Sequence, residues 1–224
     1  DVRLYANRVF GAASLTTFAL GAALFGAMIL MPLYYQQIRG ESVIATGLLL
    51  APQGLGMLMV GPFAPRLTER FGGGKVATFG VAVLSLGSLP FVFIGVDTSI
   101  AFLSLMLLVR GIGIGLAFMP TMTVAYASLR KDQLSDATPQ MNVIQRVGGA
   151  IGTAVLAVVL QQASEGATTA TAAAQGFGTA YLWALGIALL ALIPCVVLWR
   201  AEMPAGPVTE EERIAEAEIE PLGA

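Results

Sequence analysis

The sequence predicts an all-α integral membrane protein, one bundle of six membrane-spanning helices. Three observations predict it. Of the 224 residues, 56% are hydrophobic and 12% charged, where a soluble domain carries roughly 25% charge; the mean hydropathy is +0.78. The apolar residues fall into six runs, each long enough at about 20 residues to cross a hydrocarbon core of about 30 Å. When the runs alternate in direction, the basic residues between them gather on one side.

Residues 1–8, Asp-Val-Arg-Leu-Tyr-Ala-Asn-Arg, form a polar lead-in with two arginines. The first run covers about 9–35 and ends at Gln36-Gln37-Ile38-Arg39-Gly40, where Gly40 suits a helix C-cap. The second, about 43–65, contains Pro52, Gly54, Gly56 and Gly61. Such interruptions are tolerated in membrane helices, where neighbouring helices satisfy the freed backbone groups. The segment Arg66 to Lys75 reads as a loop, and a third run follows over about 76–96. After the Asp97-Thr98 turn the fourth run covers about 100–127, and a charged loop from Arg130 to Asp136 leads to the fifth, about 138–160. The Ser/Thr/Ala/Gly-rich stretch Ala163–Gly176 reads as a flexible loop. The sixth run is about 177–199, and residues 201–224 are an acidic tail in which Thr209-Glu210-Glu211-Glu212 fits a capping box.

Alternation puts Arg3, Arg8, Arg66, Arg70, Lys75, Arg130, Lys131, Arg200 and Arg213 on one side and only Arg39 on the other. Basic loops stay in the cytoplasm, so both ends of the chain are expected there, in a multi-pass protein of the plasma (inner) membrane. The runs were delimited by hydropathy alone, so the charge asymmetry is independent support.

There is no histidine, and Cys195 is the single cysteine. Disulfides, Cys/His metal sites and histidine-based acid–base chemistry are therefore excluded. No catalytic residue, cofactor or nucleic-acid partner is expected, and the chain does not read as an enzyme.

Function is sought among polar residues at membrane depth, because each is costly there. Arg110 lies near the middle of the fourth run. An arginine at the centre of a membrane helix costs about 2.5–3.5 kcal/mol on insertion scales. It persists only where it faces protein or water. Gly111, Gly113 and Gly115 follow it and clear a surface for close approach of another backbone. In the fifth run Asn142, Gln145, Arg146 and Gly149 share one face. Thr46 and Gln53 share one in the second run; Ser14, Thr17 and Gly21 do so in the first, which ends at Tyr34-Tyr35. The third and sixth runs carry almost no polar group inside and read as lipid-facing. The split repeats every three helices, a 3+3 arrangement.

Each polar residue also has a structural reading. Gln53 and Asn142 can hydrogen-bond between helices, Arg146 can snorkel to the surface, and Arg110 can bind carbonyls at a helix break. Tyr34 and Tyr35 read as interfacial anchors. All fourteen Asp and Glu residues lie in loops, ends or the tail. Proton-coupled pumps use an intramembrane acid or an equivalent, so this segment is not expected to carry coupling alone.

The order of several short motifs resembles the C-terminal bundle of a major facilitator superfamily transporter. The finer resemblance is to the fourteen-helix drug:proton antiporter branch of the QacA/EmrB type. It is carried by Leu24-Phe25-Gly26 with Met31-Pro32-Leu33-Tyr34-Tyr35-Gln36-Gln37, and by Thr46-Gly47-Leu48-Leu49-Leu50-Ala51-Pro52-Gln53-Gly54. Leu67-Thr68-Glu69-Arg70-Phe71-Gly72 is similar to a degenerate second copy of the superfamily's cytoplasmic loop motif. Arg110 to Gly115, and Arg146-Val147-Gly148-Gly149-Ala150-Ile151-Gly152, resemble its glycine-packed helices. The loop departs from the full motif: Pro65 replaces its Gly, Glu69 its Asp, and Gly73-Gly74 dilute its basic end.

The resemblance implies two inverted three-helix repeats forming half of a proton-coupled exporter of small amphipathic, often cationic, molecules. The other, N-terminal half is expected in the same parent chain. Gln53, Arg110, Asn142, Gln145 and Arg146 are the expected polar residues of the pathway. Phe25, Met28 and Met57 are its adaptable apolar wall. Glu69, Arg70 and Gly72 are the expected loop-motif residues, and Gly111, Gly113, Gly115, Gly148, Gly149 and Gly152 the packing glycines. A cationic substrate disfavours Arg110, which points that residue toward packing, gating or proton handling. Two alternatives stay open: a non-transporting membrane assembly module, and a metabolite uniporter or symporter of the same superfamily.

Overall fold

The computed structural model describes residues 4–5, 7–130 and 133–202. The helices are α1 (Arg8–Met28), α2 (Leu30–Gln37), α3 (Val43–Val60), α4 (Ala64–Phe71), α5 (Gly73–Ser88), α6 (Ile100–Ala127), α7 (Leu134–Ser164), α8 (Ala170–Leu190) and α9 (Leu192–Glu202), with a 3-10 turn over Leu89–Phe93 after α5. They give six spans long and apolar enough to cross a membrane: Arg8–Gln37, Val43–Val60, Gly73–Phe93, Ile100–Ala127, Leu134–Ser164 and Ala170–Glu202. Among the described residues there is no strand.

Proline sets the breaks inside spans. Pro32 has no N–H to give the carbonyl of Met28, where α1 ends, and Pro194 has none for Leu190, where α8 ends. Pro52, Pro120 and Pro139 lie inside α3, α6 and α7 without ending them. The first span is capped by a side chain at its start. Asn7 Oδ1 accepts from the N–H of Val9 at 2.9 Å and of Phe10 at 3.3 Å. Its Nδ2 donates to the carbonyl of Ser128 at 2.9 Å, tying the start of the first span to the end of the fourth.

Two segments read as loops are helical. Residues Ala64–Phe71 form α4, and Gly72, with φ 85°, turns the chain directly into α5. The Ala163–Gly176 stretch is not an extended loop: α7 runs through Ser164 and α8 begins at Ala170. Thr169 caps α8 by accepting from the N–H of Ala172 at 3.2 Å. The alanine content that read as a linker is high helix propensity once a cap is supplied. The capping box at Thr209 and most of the acidic tail lie outside the described residues.

The packing has an internal symmetry. The first span packs along the fifth (α1 with α7), and the second along the fourth (α3 with α6). The third packs on the fourth (α5 with α6), as the sixth packs on the first (α9 and α8 with α1). Exchanging spans one to three for four to six maps each pairing onto the other. This is the relation expected of two inverted repeats.

Burial within this body sorts the runs differently from their polar residues. In α3, expected to face inward, only Thr46, Gly56 and Val60 are buried. In α5, expected to face lipid, ten residues are buried, including Val81, Leu84, Ser85 and Ser88. The two serines donate to carbonyls one turn back, Ser85 to Val81 at 2.8 Å and Ser88 to Leu84 at 2.7 Å, so they cost little inside. Within this body α5 is a core helix with one apolar outer face (Phe79, Leu86), and α3 is peripheral.

Candidate functional site

Glycine determines how the spans meet. A Cβ on Gly111 would collide with the carbonyl oxygen of Gln53, and one on Gly21 with that of Gln145. The reciprocal contacts are present as well: Gly56 faces the carbonyl of Leu108, and Gly148 that of Phe18. The two seams are copies of one design, a Gln-x-x-Gly stretch (Gln53 to Gly56, Gln145 to Gly148) against a helix whose glycine follows its contact residue by three. A Cβ on Gly113 would meet the backbone of Leu84 and one on Gly152 the carbonyl of Ala22, while one on Gly115 would lie 3.2 Å from the Val60 Cβ and one on Gly149 2.8 Å from the Phe25 ring. At Gly21, Gly56, Gly111, Gly113, Gly148 and Gly152 the obstacle is backbone, which leaves no room for a side chain.

The seams leave one part of the surface open. The buried stripe of α7 is Ala137, Met141, Gly148, Gly149, Gly152, Leu156 and Leu160, which faces α1. Its opposite side presents Asn142, Val143, Arg146, Val147 and Ile151 as exposed residues. Asn142 Nδ2 donates to the Thr138 carbonyl at 3.0 Å, which holds the side chain along the helix. Phe25 and Met28 on α1 and Met57 on α3 are exposed, while Gln53 and Gln145 are half-buried at their seams. The open surface is thus apolar and rich in Met and Phe, with a few amides and one arginine. Nearer the chain-terminal end, Pro65 and Thr68 of α4 and Phe118, Met119, Met122 and Thr123 of α6 line a cleft of about 280 Å³.

Arg110 is not on that surface. It is 2% exposed and lies inside the bundle. The α5 backbone passes close by: a Cβ on Gly87 would lie 3.0 Å from the Arg110 nitrogen. Tyr181 of α8 faces it, and Tyr181 packs in one cluster with Tyr35 of α2. Tyr181 stacks on Phe91 with centroids 5.1 Å apart. Arg110 Nε, Tyr181 Oη and Tyr35 Oη are buried and make no hydrogen bond. This cluster was missed in the sequence, where Tyr34 and Tyr35 read as surface anchors. Both are fully buried. Tyr34 Oη donates to the Gly95 carbonyl at 2.6 Å, and Arg39 donates to that of Val96, closing this end of the bundle.

Of the loop-motif residues, Glu69 and Arg70 are exposed on α4, and the Arg70 guanidinium lies 5.3 Å from the Phe71 ring centroid. The carboxylate that meets the start of α5 comes instead from Glu202 at the end of α9. It accepts from the N–H of Gly73 at 2.8 Å and of Gly74 at 2.5 Å. Nothing in the local sequence pairs positions so far apart.

Residues 2–153 match the family model of the Major Facilitator Superfamily. The chain is 34% identical over 163 residues to a multidrug resistance protein B homolog of Mycobacterium tuberculosis, an alignment covering 71% of this chain and 30% of that protein. It is 34% identical over 203 residues to the MFS-type transporter YcnB of Bacillus subtilis (88% of this chain, 43% of the relative). It is 32% identical over 180 residues to the lincomycin resistance protein LmrB of Listeria innocua (80% and 37%). The chain therefore spans less than half the length of these relatives.

Proposed function

The chain belongs to the Major Facilitator Superfamily, and on that premise we propose that it is the C-terminal six-helix half of a proton-coupled exporter of small amphipathic molecules in the plasma membrane, with both chain ends cytoplasmic. The observation that carries this reading is the exposure of α3 and of the outer side of α7. A six-helix body that was complete would not leave its amide-bearing helices at the rim while burying the apolar α5. Asn142 on α7 and Met57 on α3 lie on these faces, Gln53 and Gln145 are half-buried at their seams, and α1 adds the exposed Phe25 and Met28, together the composition of an adaptable binding wall. The other half of the parent chain covers them, and the substrate site lies between the halves, exposed to each side in turn as the two bodies rock.

In this reading Arg110 is a structural and gating residue and not a substrate contact. A buried guanidinium would repel a cationic substrate. It is also held on the far side of the α6 seam from the open face. Proton coupling is assigned to the other half, because no acid in this chain lies at membrane depth. The multidrug and lincomycin names of relatives support a drug-like substrate class.

The test is efflux of ethidium from cells expressing the full-length protein, with and without a protonophore. Export that collapses with the protonophore, and is reduced by Asn142→Ala or Gln53→Ala at equal protein level, supports the reading. Export indifferent to the protonophore would remove proton coupling. Absence of transport from a correctly inserted protein would favour the assembly module.

A further inference from the structure

A groove separate from the open face runs between α1 and α9 where the two ends of the described chain meet. It has a volume of about 530 Å³, and its lining includes Tyr5, Arg8, Leu15, Val197 and Arg200. Arg8 is the first residue of α1 and Arg200 is two residues from the end of α9, so both charges lie at the mouth of the groove. Both side chains are exposed, and neither makes an ion pair or hydrogen bond among the described residues. At the same end of the bundle Lys75 lies 5.7 Å from the Trp199 ring centroid and Arg70 over Phe71, while Arg66 is exposed but does not line the groove.

The floor of the groove is apolar. Leu15 is 57% exposed and Val197 50% exposed. Leu15 is seven residues into the helix from Arg8, about 10 Å deeper at 1.5 Å per residue. Val197 is three residues from Arg200, about 4.5 Å deeper. Two unpaired guanidiniums above an apolar track match a molecule with an anionic head and a hydrocarbon tail. Guanidinium is the side chain suited to phosphate oxygens, and basic pockets between helices on the cytoplasmic side hold anionic headgroups.

We infer that the α1–α9 groove is a binding site for an anionic phospholipid, with Arg8 and Arg200 on its phosphate and an acyl chain along Leu15 and Val197. Leu15 and Val197 are exposed on the surface of the body, where a membrane lipid reaches them directly.

The test uses the purified full-length protein in detergent, with phosphatidylglycerol as the probe and phosphatidylcholine and inorganic phosphate as comparisons. Bound lipid is counted by native mass spectrometry. Phosphatidylglycerol should be retained in preference to phosphatidylcholine. Each of Arg8→Gln and Arg200→Gln should weaken that retention about fivefold, the worth of one basic residue near an anionic surface. Arg66→Gln, at the same end of the bundle, should leave it unchanged, and the Arg→Lys variants should keep most of it. Equal retention of the two lipids by the wild-type protein overturns the proposal, whether or not the variants fold. So does unchanged retention in the double variant. Displacement of phosphatidylglycerol by millimolar inorganic phosphate would make this a free-anion site. A preference that appears only after removal of residues 203–224 would assign the groove to the chain's own acidic tail. Because the readout is lipid and not transport, failure here leaves the exporter reading standing.

Discussion

Gly111 of α6 is seated on the backbone carbonyl of Gln53 in α3, so close that even a methyl group at position 111 has no place. Its counterpart, Gly21 on Gln145, joins α1 to α7 in the same manner. Gln53 and Gln145 thus have a second role beside any polar contact. Their backbones are the surfaces on which the two repeats close.

Gly111→Ala should destabilise the protein by about 1–3 kcal/mol, the cost of overpacking where the obstacle is backbone and cannot rotate away. Gly186→Ala is the comparison. Gly186 has nothing within 4 Å of a built Cβ, and alanine is the better helix former by up to about 1 kcal/mol. Thermal unfolding of the two variants side by side checks this: the first should melt lower than wild type and the second no lower.

Arg110 and Tyr181 should prove energetically coupled. Tyr181→Phe removes the phenol that faces the guanidinium, and Arg110→Met removes the charge. The effect of Tyr181→Phe in the Arg110→Met background should differ from its effect in the wild-type protein by about 0.5–3 kcal/mol. Strict additivity in a thermal double-mutant cycle would show that the two side chains do not sense each other.

Glu202→Ala should cost about 1 kcal/mol, the ordinary worth of a helix N-cap, because the N–H groups of Gly73 and Gly74 lose their acceptor. Glu202→Gln keeps one oxygen and should lose less. Urea or heat denaturation of both variants distinguishes capping from a general charge effect, which would make the two variants equal.

Cys195 is fully buried in α9. A maleimide should therefore leave the folded protein unlabelled and react as the bundle unfolds, so the labelling rate on heating should follow the unfolding curve. Rapid labelling of native protein would show that α9 is not packed against α1 and α5 as described.

The fold was legible because membrane helices are written in long hydropathic runs, and loop charge is written in single residues such as Arg66, Arg130 and Arg200. The seam glycines were legible for a similar reason: a glycine in a span has few uses besides close approach. What stayed hidden depended on distant contacts. Tyr181 stands alone in an apolar run, and nothing local says that Arg110 faces it. Glu202 reads as the start of an acidic tail, yet it caps a helix 129 residues earlier. The placing of α3 at the rim of this body stayed hidden for a related reason. Thr46 and Gln53 mark a face that avoids lipid, but within this chain α3 packs chiefly on α6, with a smaller contact to α2.

The seams have one mechanical consequence. Where glycine meets carbonyl, there are no rotamers to exchange and no side-chain layer to shear. α1 and α7, and likewise α3 and α6, are therefore joined like laminated boards, stiff along their common length. Bending must be taken up elsewhere, and the breaks at Ile29 and Ala191, beside prolines 32 and 194, are the natural creases.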